Sequence, residues 1–240
     1  MGRPLIHRLD STGSTMELLH RLAEQGAEAG TVVVAAEQTA GRGSRGRAWH
    51  SPRGGLWMSL LVRPGRAAGD LLGLRAGLAI ADGLERADPA LRIGLKWPND
   101  LMLGDRKLGG VLCEARWIGG AAAWVAVGVG INVRNPIEPG LADTAASLAE
   151  LVGEATPDMV LNLILPGLRR LDAASALLHH EELAALARRD WLRGRPLAGP
   201  IAGVAEGIAP DGAMRVRRPD GTRVELRAGT VQVARHDVSP

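Results

Sequence analysis

Residues 38–55 read QTAGRGSRGRAWHSPRGG, and the six residues GRGSRG from Gly41 to Gly46 match the letter of the dinucleotide fingerprint G-x-G-x-x-G. A true fingerprint would make the chain a doubly wound parallel sheet. It needs a strand before it, a helix directly after it, and an acid about 20 positions on. Only the strand is present, as TVVVAA at 31–36. After Gly46 the chain runs RAWHSPRGG, which cannot propagate a helix, and residues 61–66 (LVRPGR) contain no acid. The parallel-sheet reading therefore falls. An arginine–glycine tract for RNA would be a disordered repeat, whereas this stretch occurs once, between apolar segments. What is left is a long irregular loop with five glycines, and loops of that length in a compact domain are usually functional. Its backbone amides and arginines would surround an anion, with Trp49 offering a flat face for a base.

The flanking segments set the fold class. Before the loop, Ser14-Thr15-Met16-Glu17 reads as a capping box that opens an amphipathic helix through Leu18, Leu19, Leu22 and Ala23 to Gly26. After the loop, 56–62 (LWMSLLV) reads as a strand and 70–88 as a helix capped by Asp70 and stopped by Pro89. Three strands follow at 91–96, 108–116 and 122–133, and Gly119-Gly120 turns the last two into a hairpin. Strand following strand predicts antiparallel pairing, hence an α+β fold with an antiparallel mixed sheet and flanking helices. Residues 148–193 read as helical with a break at Pro166-Gly167, and 194–200 as a linker. Residues 201–235 read as four or five short strands around the turns Pro210-Asp211-Gly212 and Pro219-Asp220-Gly221. The expected organisation is a catalytic domain over 1–194 and a small C-terminal β-barrel over 195–240.

Composition narrows the function. A chain of 240 residues with 46% hydrophobic content can bury a full core. No run reaches the roughly 18 apolar residues of a membrane span. The first 30 residues hold Arg3, His7, Arg8, Asp10 and Glu17 and no signal-peptide core, so a cytoplasmic location is expected. Cys113 is the single cysteine, which excludes a disulfide framework and a cysteine-based zinc cluster. The six histidines show no metal spacing, and His179-His180 before Glu181-Glu182 reads as a solvated helix face. The pI is near 9.9, but 29 basic against 26 acidic residues leave a formal charge of only +3, a weak footprint for nucleic acid.

Phe and Tyr are absent, and only two basic residues are lysines, Lys96 and Lys107. Arginine has replaced lysine wherever a generic charge is enough. The two survivors therefore mark places where a compact ammonium is required for a phosphate or carboxylate. They lie in KWPND (96–100) and DRKLGG (105–110), where Trp97 reads as core packing and Lys107 as functional. A third segment, GVGINV at 128–133, places glycines in a buried strand, a mark of close approach by a ligand or backbone, and ends on an amide, Asn132, able to read a nucleobase edge.

In order, GST (13–15), QTAGRGSRGRAW (38–49), SPRGGLWMSL (51–60), KWPNDLML (96–103), DRKLGGVLCE (105–114) and GVGINV (128–133), with a tail ending GTVQVAR (229–235), closely resemble the biotin–protein ligases. The form resembled is the one without an N-terminal DNA-binding domain, since the motifs begin by residue 13. The resemblance implies a class II synthetase-like sheet with flanking helices, followed by an SH3-like barrel. It implies that biotin and ATP, with Mg2+ on the phosphates, give biotinyl-5′-adenylate, and that a lysine of a biotin carboxyl carrier domain of a biotin-dependent carboxylase then takes the biotinyl group. By motif position, Ser14, Thr15, Gln38, Gly41, Arg42, Gly109 and Gly110 would bind biotin, and Lys107 would bridge its carboxylate and the α-phosphate. Arg42, Arg45 and Arg47 would close over the adenylate, Trp49 would stack on adenine, and Asn132 would read its edge. Lys96, Asn99 and Asp100 would contact phosphates, metal or the incoming lysine. Lys107, Arg42, Arg45 and Asp100 are thus the expected catalytic set.

Neither DNA nor membrane is expected as a partner, and the protein would be a monomer or weak homodimer. Three departures from the family pattern stand out: Ser44 replaces a loop arginine, Met16 an asparagine, and Thr230 a glutamate. Two rivals predict different behaviour. A lipoate–protein ligase or octanoyltransferase shares the superfamily; an arginine-rich RNA-binding module predicts salt-sensitive affinity with no dependence on Lys107.

Overall fold

The computed structural model describes residues 5–64 and 71–234. The chain opens with strand β1 (Ile6–Thr12), crosses through helix α1 (Thr15–Glu24) and returns as β2 (Val32–Gln38), parallel to β1. Strand β3 (Leu56–Val62) pairs antiparallel with β2. Helix α2 (Leu72–Ala87) leads into a meander of β4 (Ile93–Lys96), β5 (Asp100–Leu103), β6 (Arg106–Ile118) and β7 (Ala121–Ile131), which closes back on β3. The sheet order is β1-β2-β3-β7-β6-β5-β4, antiparallel beyond its first pair. The expected α+β class holds.

Strand β3 is buried along its whole length, so both faces of the sheet must be covered. On one face Leu56, Met58, Leu60 and Val62 pack into the main core with Leu72, Ile80 and Leu84 of α2 and with Ile164 of α3 (Pro157–Leu168). On the other, Leu61 joins Trp124 and Ala126 of β7 under Met16, Leu19 and Ala23 of α1. Helix α1 is too short to cover that face. Past its N-terminus the register sets Ser59 opposite Gly128, and Gly110 opposite Gly130. Small residues where larger ones would fill the space leave a concavity in the sheet. The glycines of GVGINV thus create room rather than weaken the strand.

A second sheet follows α4 (His180–Arg189) and is built from β8 (Pro196–Gly199), β9 (Gly203–Ile208), β10 (Met214–Arg217), β11 (Arg223–Leu226) and β12 (Gln232–Val233). Its order is β11-β10-β9-β8-β12, all antiparallel. Leu197, Ala205, Met214 and Val216 belong to the same apolar cluster as Leu95 and Trp97. The Trp97 Nε1 donates to the Gly212 carbonyl at 2.9 Å, so this tryptophan is a core residue, as read.

Several local expectations need correction. The 194–200 segment is no linker: its Pro196–Gly199 part is β8, with the Pro196 carbonyl accepting from Ala234. Strand β1 was not anticipated, because IHRLDST is a half-exposed edge paired on one side only. Strand β5, only four residues long, was missed as well. Within 148–193 the helical reading fails at both joints, since Leu148–Glu150 is a single 3-10 turn and 169–179 is irregular. Pro166 lies inside α3, and the break comes after Leu168. The cause is buried Arg75, which collects the carbonyls of Asp172, Ser175 and Leu177 together with the Glu182 carboxylate. Those carbonyls are satisfied without a helix. The His180 side of α4 is exposed as expected, while His179 caps the helix reciprocally with Glu182. Ser14 occupies the N-cap position of α1 but makes no side-chain cap. The expected cap at Asp70 and the end of the GTVQVAR segment at Arg235 lie outside the described residues.

Candidate active site

The concavity opens into a cavity of about 640 Å³ between the sheet, the N-terminus of α1, the glycine-rich loop and the segment after β7. At the α1 end the walls are polar and pre-arranged. The Gln38 Oε1 accepts from the Thr15 amide at 2.9 Å and from its hydroxyl at 3.1 Å, and that hydroxyl also meets Ser59 Oγ at 2.8 Å. The Gln38 Nε2 donates to Ser51 Oγ at 2.9 Å, and Ser51 donates to the Trp49 carbonyl at 3.0 Å. By the donor inventory, the Ser14 hydroxyl and the second N–H of Gln38 are left for a ligand. The Gln38 side chain is held still by its bonds to Thr15 and Ser51.

The loop itself is a small hairpin. Gly43 donates to Arg47 O at 2.8 Å and Trp49 to Gly41 O at 2.9 Å, around a 3-10 turn at Ser44–Gly46 in which Arg45 has φ 61°. Gly41 is required sterically, because a Cβ there would lie 2.4 Å from the Trp49 carbonyl and 2.5 Å from Ser51 Oγ. At the far wall, His50 meets Glu138 at 3.0 Å, so the loop also touches the chain after β7. Trp49 lies on Gly130, where a Cβ would be 2.6 Å from its Nε1. That Nε1 is buried with no hydrogen-bond partner, an orphan donor at the centre of the site.

Lys107 stands over the same indole, its Nζ 4.9 Å from the ring centre and 2.6 Å from Asp100 Oδ1. Its backbone is clamped by the segment after β7, donating to Thr144 O at 2.7 Å and accepting from Ala146 at 2.9 Å. Asn99 is fixed by its bond to Val111 O at 2.7 Å. Asn132, buried at the end of β7, accepts through Oδ1 from Asn135 Nδ2 at 3.1 Å, which leaves its own amide nitrogen for a ligand.

Of the residues singled out in the sequence, Ser14, Thr15, Gln38, Gly41, Arg42, Arg47, Trp49, Asn99, Lys107, Gly110 and Asn132 all line this cavity. Asp100 joins it through Lys107. Gly109 lies beneath the floor, where a Cβ would be 2.4 Å from Gly130 O. Arg45 is turned toward the second sheet, about 3.6 Å from where a Cβ on Gly229 would stand. Lys96 stands outside the lining, 5.2 Å over the Trp191 ring, in a setting whose burial lowers its pKa from the usual lysine value. Ser51, Ser59 and Asn135 were missed, since each acts only through a partner that folding brings to it.

The Biotin/lipoate A/B protein ligase family matches residues 7–132. A biotin–[acetyl-CoA-carboxylase] ligase of Paracoccus denitrificans is 35% identical over 210 residues, covering 80% of this chain and 86% of that protein. The biotin protein ligase of Aquifex aeolicus, solved with biotin and ATP, superposes with a TM-score of 0.79 at 29% identity over 96% of this chain and 98% of that one. The enzyme of Leishmania major, solved with biotinyl-5-AMP, gives 0.66 at 27% identity over 95% and 100%. With the family's match spanning most of the first sheet, and with relatives alike over nearly the whole length, the chain belongs to the biotin/lipoate A/B protein ligase family.

Proposed function

We propose that the chain is an ATP-dependent biotin–protein ligase. The observation that carries the reading is one continuous cavity with a polar, pre-arranged end at Ser14, Thr15 and Gln38 and a cationic, aromatic end at Lys107, Arg42, Arg47 and Trp49. Such a cavity suits a small acid whose far end carries a polar ring and whose carboxylate must meet a phosphate. A ureido ring presents one acceptor and two donors: its carbonyl can accept from the free N–H of Gln38, and one ring N–H can donate to Ser14 Oγ. A dithiolane ring presents neither, so lipoate would leave those groups unpaired at a cost of about 1–3 kcal/mol each. The names of the relatives point the same way.

The chemistry follows from charge. A biotin carboxylate oxygen bonds to the α-phosphorus of ATP as the bond to the β,γ-pyrophosphate breaks. An acceptor lysine then attacks the acyl carbon, releasing AMP and a proton. The first step joins two anions, so positioning and neutralisation carry the catalysis. We assign that task to Lys107, with Asp100 holding its ammonium, and to Arg42 and Arg47. Trp49 and Asn132 receive adenine. Arg45, Lys96 and Asn99 are assigned to phosphates or the incoming lysine, Gly109 to the close backbone approach beneath biotin. Magnesium would arrive on the phosphates of ATP and supply charge neutralisation there. Among the described residues no group of three or more His, Cys, Asp or Glu gathers to hold an ion, so the chain offers single carboxylates rather than a cage. We place this chemistry in residues 1–194 and treat 195–240 as a small accessory sheet unit packed on the same core, with a carboxylase carrier domain as acceptor. ATP–pyrophosphate exchange measured with biotin and with lipoate tests the reading. Exchange with biotin alone, lost in Lys107→Ala, is expected; exchange with lipoate alone or with neither acid would overturn it.

A further inference from the structure

Glu114 stands on β6 two residues past Leu112, on the face that floors the cavity, and nothing in the proposed chemistry uses it. Its Oε2 accepts from Arg42 at 3.2 Å and meets His20 Nε2 at 3.3 Å. His20, on α1, is only 4% exposed, and its Nδ1 lies 3.0 Å from the Trp124 Nε1, which can only donate. The imidazole must then carry its proton on Nε2 and donate it to Glu114. Trp124 is held in turn on the far side, with the Arg63 guanidinium 5.9 Å over its ring. Two buried side chains, Trp124 and His20, therefore aim one partly exposed carboxylate, and its target is Arg42.

We propose that Glu114 is a positioning residue that anchors the glycine-rich loop, holding Arg42 and with it the closed loop over the cavity. The claim that this closure retains biotinyl-adenylate rests on the reading given above; the anchoring itself stands on the geometry. Arg42 is the arginine suited to the task. Arg47 bonds back into its own loop at Ser44, at 3.0 Å, and Arg45 faces the second sheet. Arg42 also sits between the two backbone bonds that make the loop a hairpin, so fixing it fixes both. An ordinary surface ion pair spends its gain on ordering two long side chains. Here the glutamate is already ordered by His20. A carboxylate beside a site for anions would otherwise repel the ligand, which makes an anchor the economical role for it.

The test compares Glu114→Gln, Glu114→Ala, Arg42→Gln and the double variant Glu114→Gln/Arg42→Gln by two readouts. Hydrogen exchange of the unliganded protein over 39–50 reports opening at the Gly43 and Trp49 amides. Dissociation of preformed biotinyl-adenylate reports retention. Each single variant is expected to speed exchange about fivefold, the double no further, with the thermal midpoint nearly unchanged. Glu206→Gln, which weakens an ion-pair cluster on the second sheet, should move neither readout. Dissociation should accelerate by the same factor in the Glu114 variants, and by more in Arg42→Gln, which also loses a cation assigned to the anions. Unchanged exchange in Glu114→Ala, or single effects that multiply in the double variant, would overturn the anchor whatever the ligand. Faster exchange with unchanged dissociation would overturn its role in retention. A parent chain that makes no biotinyl-adenylate would defeat the ligase reading instead, and exchange would still decide the anchor.

Discussion

Lys107 has one carboxylate at 2.6 Å, an indole beneath it and a backbone clamped on both sides, so its ammonium has little freedom to wander. Replacing it with alanine should lower biotin-dependent pyrophosphate exchange by about 100-fold or more, the scale of losing one preorganised charge-stabilising group. Lys107→Arg should rescue little of that, since a planar fork cannot stand where a point charge fits between Asp100 and Trp49. The scarcity of lysine made this residue legible in the sequence. The same argument picked Lys96, which stands over Trp191 outside the cavity lining and within electrostatic reach of Asp100 and Lys107. Ser51 and Ser59 were invisible because a small hydroxyl means nothing until a partner such as Thr15, 44 positions from Ser59, arrives. His20 makes a separate prediction. Burial, with Arg116 adding to it and Glu114 opposing it, lowers its pKa below the usual 6.5, so the unfolded chain takes up a proton first as pH falls. Stability should rise with pH through the window ending near 6.5 and fall below it. Thermal midpoints of the parent and His20→Gln between pH 5 and pH 7.5 check this; equal slopes would refute it. Cys113 is the opposite case, its thiol pushed up to about 12 by burial, and it should resist alkylation at neutral pH in the folded protein.

Among the elements, β7 does the most to make the site. Its apolar alternation builds the core on one face, while Gly128 and Gly130 hollow the other, with Cβ positions that would meet Met16 Sδ at 2.7 Å and Trp49 Nε1 at 2.6 Å. Gly130→Ala should therefore push Trp49 off the floor and raise KM for ATP about threefold to tenfold, the worth of one aromatic contact, with little change in melting temperature. A large fall in melting temperature with KM unchanged would assign the glycine to packing alone. Met16, where the family pattern has asparagine, sits against Gly128 in the smaller core cluster under α1. The hairpin of β6 and β7 was legible because Gly119-Gly120 supplies the positive φ a tight turn demands, at 59° and 80°. The break after α3 was not, because its cause is Arg75, a residue 97 positions from the first carbonyl it binds.

At the scale of the molecule, the two sheets share one core, and Trp97 ties them through Gly212. Trp97→Phe keeps most of the buried ring but leaves the Gly212 carbonyl without its donor, and should lower unfolding free energy by about 1–2 kcal/mol in urea titration. No helix among the described residues is long and apolar enough to cross a membrane. The fold class was readable because strand signals ran in succession without intervening helices, whereas the continuity of the core was hidden by the turn-rich composition of the second sheet. The central claim is that one cavity holds the polar ring of biotin while its carboxylate is joined to the α-phosphate of ATP as an acyl-adenylate. It is tested most directly by incubating the protein with biotin and ATP labelled in the α-phosphate, isolating the protein-bound product, and adding a biotin carrier domain. The account predicts labelled biotinyl-adenylate on the parent chain and none on Lys107→Ala, with discharge leaving AMP and one biotinyl group on a carrier lysine. A carrier modified without any labelled adenylate, or an adenylate formed equally well without Lys107, would contradict it.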